Sequence, residues 1–197
     1  LDVVEGRASG NLYTRYGMNP TIRSVEEKLA SIEGAEAAWV FSSGMAAESA
    51  TFLSYCKTGD HIVCIGDVYD GTFELLGSNL PDLGITTTFL LGSELDRLDE
   101  VLRDNTRIVF FETPTNPNME VFDIAAIAAS ARRRGALTVV DNTFATPVNQ
   151  TPLSLGADLV IHSTTKYLGG HSDLTGGVVI GPAKLLQPIW MWRKNLG

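Results

Sequence analysis

One lysine stands where lysines are seldom found. Lys166 sits in Ser163-Thr164-Thr165-Lys166-Tyr167-Leu168-Gly169-Gly170-His171, after the apolar run Ala157-Asp158-Leu159-Val160-Ile161 and before Gly177-Val178-Val179-Ile180. Both runs read as short buried strands bounded by turn residues. Lys28, Lys57, Lys184 and Lys194 fall instead in helical or loop-like text, where a lysine stays solvated. An amine at the carboxyl end of a buried strand loses hydration, its pKa falls, and it becomes a usable nucleophile. The competing reading is a lysine that caps a strand and reaches for water. For an isolated lysine that second reading is the stronger.

Other residues shift the balance by where they sit. Ser42-Ser43-Gly44-Met45 turns a strand candidate, 37–41, directly into a helical run, 46–55. Such a turn leaves backbone N–H groups pointing out of the helix start, where the dipole favours an anion, most often phosphate. Tyr69, Asn116, Asp141, Ser163 and Thr165 likewise follow apolar runs. Each has a bland alternative: Tyr69 a packing tyrosine, Asn116-Pro117 a turn, Asp141 an N-cap. Their recurrence at successive strand ends is harder to explain that way. Neither Gly-x-x-x-x-Gly-Lys nor Gly-x-Gly-x-x-Gly occurs, so nucleotide folds lose their main signature. No cysteine and histidine spacing suggests zinc, and no metal is expected. His162 reads as embedded in its strand and His171 as a loop histidine.

The elements that must position these residues alternate. Asn19-Pro20-Thr21 announces a helix in which Ile22, Val25, Leu29 and Ile32 recur at helical spacing, and Gly34 stops it. Further strands are expected over 61–66, 85–91, 107–111 and 137–140. Helices are expected through Leu76, around Leu95, Leu98 and Leu102 to about Asn105, and over 124–134 after an Asp123 cap. Strands this continuously apolar, alternating with helices, predict a parallel sheet covered on both faces. Sites in such sheets form at the carboxyl ends of the strands.

Composition narrows the functions. The 197 residues carry a net charge of −8, with 44% hydrophobic and 19% charged residues, and the longest basic run is Arg132-Arg133-Arg134. That triplet ends a helical pattern and suits its dipole. No nucleic-acid partner is expected. Cys56 and Cys64 both lie in apolar text, which suggests a reducing compartment. No long apolar span is read, so a cytoplasmic protein without a membrane partner is expected. Ile189, Trp190 and Trp192 crowd the last segment and are expected to lead into a further part of the protein.

The combined motifs resemble the sulfur-amino-acid branch of pyridoxal-phosphate (PLP) enzymes: cystathionine γ-synthase, cystathionine γ-lyase, methionine γ-lyase and the acylhomoserine sulfhydrylases. The matching segments are Tyr13-Thr14-Arg15 with Asn19-Pro20-Thr21, Ser43-Gly44-Met45, Tyr69 with Gly71-Thr72, Glu112-Thr113-Pro114-Thr115-Asn116-Pro117, Asp141-Asn142-Thr143, and Ser163-Thr164-Thr165-Lys166-Tyr167. They occur in family order along nearly the whole chain. The resemblance implies the large domain of PLP-dependent fold type I, a mostly parallel α/β sheet with helices on both faces. The family's small C-terminal domain has no counterpart here. Residues 1–18 would be an arm contributing to a neighbouring subunit and 19–197 the PLP-binding large domain, so the chain is expected to belong to a longer protein.

The resemblance also assigns roles. Lys166 would form the Schiff base with the PLP aldehyde and then shuttle protons. Asp141 would pair with the pyridine nitrogen and hold it protonated, and Tyr69 would stack on the ring and act as acid or base for the leaving group. Gly44 and Met45 through their N–H groups, with Ser163 and Thr165, would hold the phosphate, and Asn116 would contact the 3-hydroxyl oxygen. Tyr13 and Arg15 would reach the phosphate of a neighbouring subunit, implying a homo-oligomer, a dimer sharing its sites within a tetramer. The implied activity is a carbon–sulfur lyase acting on sulfur amino acids by γ-elimination. Cystathionine γ-synthase or acylhomoserine sulfhydrylase chemistry is the alternative, and a catalytically silent PLP-fold scaffold is another. Intact Lys166, Asp141 and Tyr69 count against the scaffold. Other PLP reactions on this fold, aldol cleavage or amino transfer, fit the Ser-x-Thr-Lys and Tyr-x-Gly-Thr combination less well. Gly71 stands where methionine γ-lyases typically carry a cysteine, which weakens that assignment, and the arginine that binds the substrate carboxylate is expected outside these residues.

Overall fold

Asn19 opens the first helix, α1 (Pro20–Ile32): its side chain accepts from Thr21 N at 2.9 Å, and Pro20 takes the first helical position. The computed structural model describes residues 2, 7, 10, 13–16 and 19–196, and of Arg15 the backbone alone. After α1 come β1 (Ala37–Phe41), α2 (Gly44–Tyr55), β2 (His61–Ile65) and α3 (Asp70–Glu74). A π-helical turn, Leu75–Asn79, carries α3 into α4 (Leu80–Asp82), so this helical stretch outruns its expected end at Leu76. β3 (Thr86–Leu90), α5 (Leu98–Val101), β4 (Thr106–Glu112), α6 (Ile124–Arg133), β5 (Leu137–Asp141), α7 (Thr146–Asn149), β6 (Leu159–Ser163), β7 (Gly177–Gly181) and α8 (Ala183–Leu196) complete the chain. The helix expected to end near Asn105 stops at Val101, where the backbone turns extended at Leu102, and its first part, Gly92–Arg97, is a 3-10 segment with a kink at Glu94.

Seven strands form one sheet in the order β1-β7-β6-β5-β4-β2-β3. The central pairs are parallel, whereas β7 runs antiparallel to both β1 and β6. An antiparallel return needs no helical crossover, and the glycine-containing stretch after Lys166 supplies a loop instead. Residues alternate across the sheet. Ile62, Cys64, Phe110, Val139, Leu159, Ile161 and Val179 face one way, toward Ala47 and Phe52 of α2 and Leu186 and Ile189 of α8. Val63, Ile65, Val109, Phe111 and Val140 face the other, toward Ile124, Ile127 and Ala131 of α6. Leu29 and Ala30 of α1 cover Ala38, Val160, Val178 and Ile180 on that second side. Each such fully buried large side chain contributes about 1.5–3 kcal/mol of transfer free energy.

One expectation requires correction. Val25 and Ile32 are exposed, and the buried face of α1 instead carries Glu26, Leu29 and Ala30. Glu26 is tolerated there because Arg193 of α8 reaches it at 2.6 Å and also donates to Val40 O at 2.8 Å. The aromatic end of the chain belongs to this core: Ile189 is fully buried and Trp192 packs beside it. Among the described residues no helix is long and apolar enough to cross a membrane.

Candidate active site

The carboxyl ends of β1, β2, β4, β5 and β6 converge on a single cavity of about 230 Å³ on the α2 side of the sheet. Its lining includes Gly44, Met45, Tyr69, Asn116, Asp141, Ser163, Thr165 and Lys166, every candidate named from the sequence except Tyr13 and Arg15. Tyr13 is exposed and packs edge-on against Tyr16, whose carbonyl accepts from Trp190 Nε1 at 3.4 Å. This segment therefore docks on α8 of its own chain, away from the cavity. The Arg15 side chain lies outside the described residues.

Close backbone packing builds the turn at the start of α2. Ser43 Oγ accepts from Ala46 N at 3.0 Å, leaving the N–H groups of the first helical positions, Gly44 and Met45, without partners inside the helix. A Cβ on Gly44 would stand 2.9 Å from the Cβ of Ser163, and one on Gly177 would stand 2.1 Å from Ser43 O. Only glycine lets β7 and the Ser163 loop approach so closely. Thr165 is fixed by exchange with Gly176, donating to its carbonyl at 3.2 Å and accepting from its N–H at 3.0 Å. Lys166 follows in that loop and is exposed, so the desolvated lysine expected from the sequence is not what these residues alone produce.

Tyr69 lies over the cavity half-exposed, and its backbone N–H donates to Glu112 Oε1 at 2.6 Å. Gly71 makes room for its ring, since a Cβ there would come within 2.7 Å of Tyr69 Cε1. Asp141, 9% exposed, accepts from Thr143 N at 2.7 Å, while the Thr143 hydroxyl accepts from Ser163 N at 2.8 Å. Thr143 thereby ties the ends of β5 and β6 together.

Glu48 and Glu112 also line the cavity, and sequence reasoning did not assign either to the site. Glu48 lies among alanines on α2 and accepts from the Thr72 hydroxyl at 2.7 Å. With Asp141 they form a group of three buried carboxyls. Burial raises the pKa of Asp141, and hydrogen bonds from Thr143 and the attraction of His162 pull it back. Glu112 is pushed up to about 8 by burial and then by the charge of Asp141, against the N–H groups of Tyr69 and Asn116. Burial, then Asp141, hold Glu48 well above the usual carboxylate range against the Thr72 hydroxyl. Three such neighbours titrate as one system. They do not converge as metal ligands: among the described residues no group of three or more His, Cys, Asp or Glu side chains could hold an ion. The signal for Glu48 was weak, an acid within the small-residue run Ala46-Ala47-Glu48-Ser49-Ala50.

A sheet of this order with an amine, a buried acid and a helix N-terminus at one end defines a PLP-type α/β large domain. The family described as Cys/Met metabolism PLP-dependent enzyme matches residues 2–197, and the chain belongs to it. It is 44% identical over 181 residues to the cystathionine gamma-lyase of Bacillus subtilis, covering 92% of this chain and 47% of that protein. It is 48% identical over 186 residues to the cystathionine beta-lyase of Lactococcus lactis subsp. cremoris, covering 94% of this chain and 48% of that one. The structure of metB from Corynebacterium glutamicum superposes with a TM-score of 0.91 at 42% identity, covering 95% of this chain and 49% of that chain. The chain spans about half the length of the curated relatives it matches. The donor set fits the family's cofactor. An amine suits its carbonyl, a buried carboxylate its ring nitrogen, and a helix N-terminus with hydroxyls its phosphate.

Proposed function

We propose that the protein is a carbon–sulfur lyase that acts on a sulfur amino acid by γ-elimination, with residues 19–197 as its PLP-binding large domain. The observation that carries this reading is the meeting of Lys166, Tyr69 and Asp141, from different strand ends, in one cavity with the Gly44-Met45 turn. PLP, when bound, supplies an electron sink for negative charge at the substrate carbons. Lys166 holds it covalently and then moves protons at the substrate's α and β carbons. The Asp141 carboxylate holds the proton on the ring nitrogen, since a negative charge beside a weak base raises its pKa. Tyr69 would stack on the ring and serve as acid or base for the departing sulfur, and Asn116 would contact the 3-hydroxyl oxygen. The N–H groups of Gly44 and Met45, with Ser163 and Thr165, hold the phosphate. The arm over 1–18 reaches a neighbouring subunit, where Tyr13 and Arg15 meet its phosphate, so the sites are shared across a dimer within a tetramer. The substrate carboxylate is met by an arginine outside these residues.

The test uses the full-length protein. With cystathionine and water, γ-elimination gives cysteine, 2-oxobutyrate and ammonia. Borohydride should fix a pyridoxyl label on the Lys166 peptide, and Lys166→Ala should abolish both label and product. Turnover retained by Lys166→Ala sinks the assignment of that lysine, and a protein with neither label nor turnover supports the silent scaffold. A second reading, β-elimination, is favoured by the 48% identity to the lactococcal cystathionine beta-lyase. Pyruvate and homocysteine as the products would establish it instead. A new thioether formed from an acylhomoserine and a thiol would point to γ-replacement.

A further inference from the structure

We propose that Glu112 is a positioning residue of this site: its carboxyl ties the Tyr69 loop to the end of β4, against the Asn116 loop, and by keeping a proton it leaves Asp141 as the charged member of the carboxyl group of three. The inference rests on the reading that Tyr69, Asn116 and Asp141 meet the cofactor.

The geometry comes first. Glu112 and Asp141 are register partners on adjacent strands, whose backbones lie about 4.7–4.9 Å apart. Glu112 is 6% exposed and accepts from Tyr69 N at 2.6 Å, and the backbone N–H of Asn116 is placed to favour its charge. One buried carboxyl thus fixes the Tyr69 loop and lies against the Asn116 loop, and both residues line the cavity. A protonated acid retains acceptor capacity, so it can anchor the Tyr69 N–H while neutral. The groups facing it are Asp141 on β5, Glu48 on α2, Cys64 on β2, Tyr69 on the following loop, and Lys166 across the cavity. Two carboxylates this close and this buried are not both charged cheaply. Asp141 has the better support for charge, from Thr143 and the His162 on β6. Burial and Asp141 push Glu112 up to about 8. The proton therefore stays on Glu112 at neutral pH and the charge on Asp141.

The experiment compares the full-length protein with Glu112→Gln and Glu112→Ala, freed of cofactor. The infrared stretch of a protonated carboxyl should decline with a midpoint near pH 8 in the wild type, and Glu112→Gln should lack that step. PLP titrated into each apo-protein at pH 7 should bind about tenfold more weakly or worse to Glu112→Ala, the cost of leaving the Tyr69 N–H unanswered. Glu112→Gln should recover most of that loss, because an amide oxygen still accepts from Tyr69 N. A step near pH 8 that persists in Glu112→Gln with unchanged midpoint and amplitude overturns the inference, as does wild-type affinity in Glu112→Ala. A Glu112→Gln protein that fails to fold also overturns it, since the amide replaces a neutral acid of the same shape. A wild type that binds no PLP would instead overturn the cofactor reading and leave the infrared result standing.

Discussion

Asp141 serves two opposed demands, and a single substitution separates them. Burial makes its charge costly in the apo-protein, while the proposed chemistry needs that charge beside the ring nitrogen. Its folded pKa lies above the unfolded value, so the stability linked to its bound proton is complete below the unfolded value and lost as pH rises through the folded one. Asp141→Asn removes that loss and keeps an oxygen for Thr143 N. The apo variant should therefore gain thermal stability over wild type as pH rises from about 4, the ordinary aspartate value, to neutrality, while kcat falls by about 10²–10³. A melting comparison at the two pH values with a turnover assay decides it, and unaltered kinetics would contradict the role of Asp141. At this scale much of the cavity lining could be read from the sequence, because a polar residue ending an apolar run is conspicuous. Glu48 could not. A lone acid on a helix reads as a solvated residue until Thr72 and Asp141 are known to face it.

Elements were legible where apolar periodicity alone decides them, and illegible where distant partners do. The central strands needed only their own Val, Ile and Phe runs. The direction of β7 did not follow from such a run, since an apolar strand reads the same either way. The buried face of α1 was misjudged for a related reason: Glu26 is paid for by Arg193, 167 positions along the chain. Glycines mark the contacts that hold β7 against α2. Gly177→Ala would drive a Cβ to within 2.1 Å of Ser43 O, backbone against backbone, where no side chain can swing aside. It should cost about 1–3 kcal/mol or more and weaken phosphate binding at the turn beside it. Gly77→Ala is the control: it lies in a helical turn with nothing nearer than the Phe89 ring at 3.7 Å, and should be neutral or stabilising by up to about 1 kcal/mol. Denaturant midpoints and PLP titration read both, and equal effects at the two positions would remove the close approach as the cause.

The molecule as a whole presents a cavity whose charges do not balance once a phosphate enters. With Glu48 and Glu112 protonated, its lining sets the charge of Asp141 against the single amine of Lys166, and it is a phosphate that would bring uncompensated negative charge. A cation from elsewhere would offset it, and the arm is the natural source because Tyr13 and its neighbours dock on α8 rather than in their own cavity. This arrangement was legible only as a segment without core periodicity. Whose cavity it serves depends on a second subunit, which no periodicity within one chain encodes. If the arm of one subunit completes the site of its neighbour, two defects in different subunits can cancel. Full-length Lys166→Ala and Arg15→Ala proteins should each be nearly inactive. In a mixed dimer one cavity would have both Lys166 and the neighbour's Arg15 intact, while the other would lack both. Random reassociation of equal amounts should then restore about a quarter of wild-type activity, because half the dimers are mixed and half their sites are whole. The check is turnover after co-refolding or co-expression of the two variants. No recovery, with mixed dimers verified by differential tagging, would mean that each cavity draws its phosphate cation from its own chain.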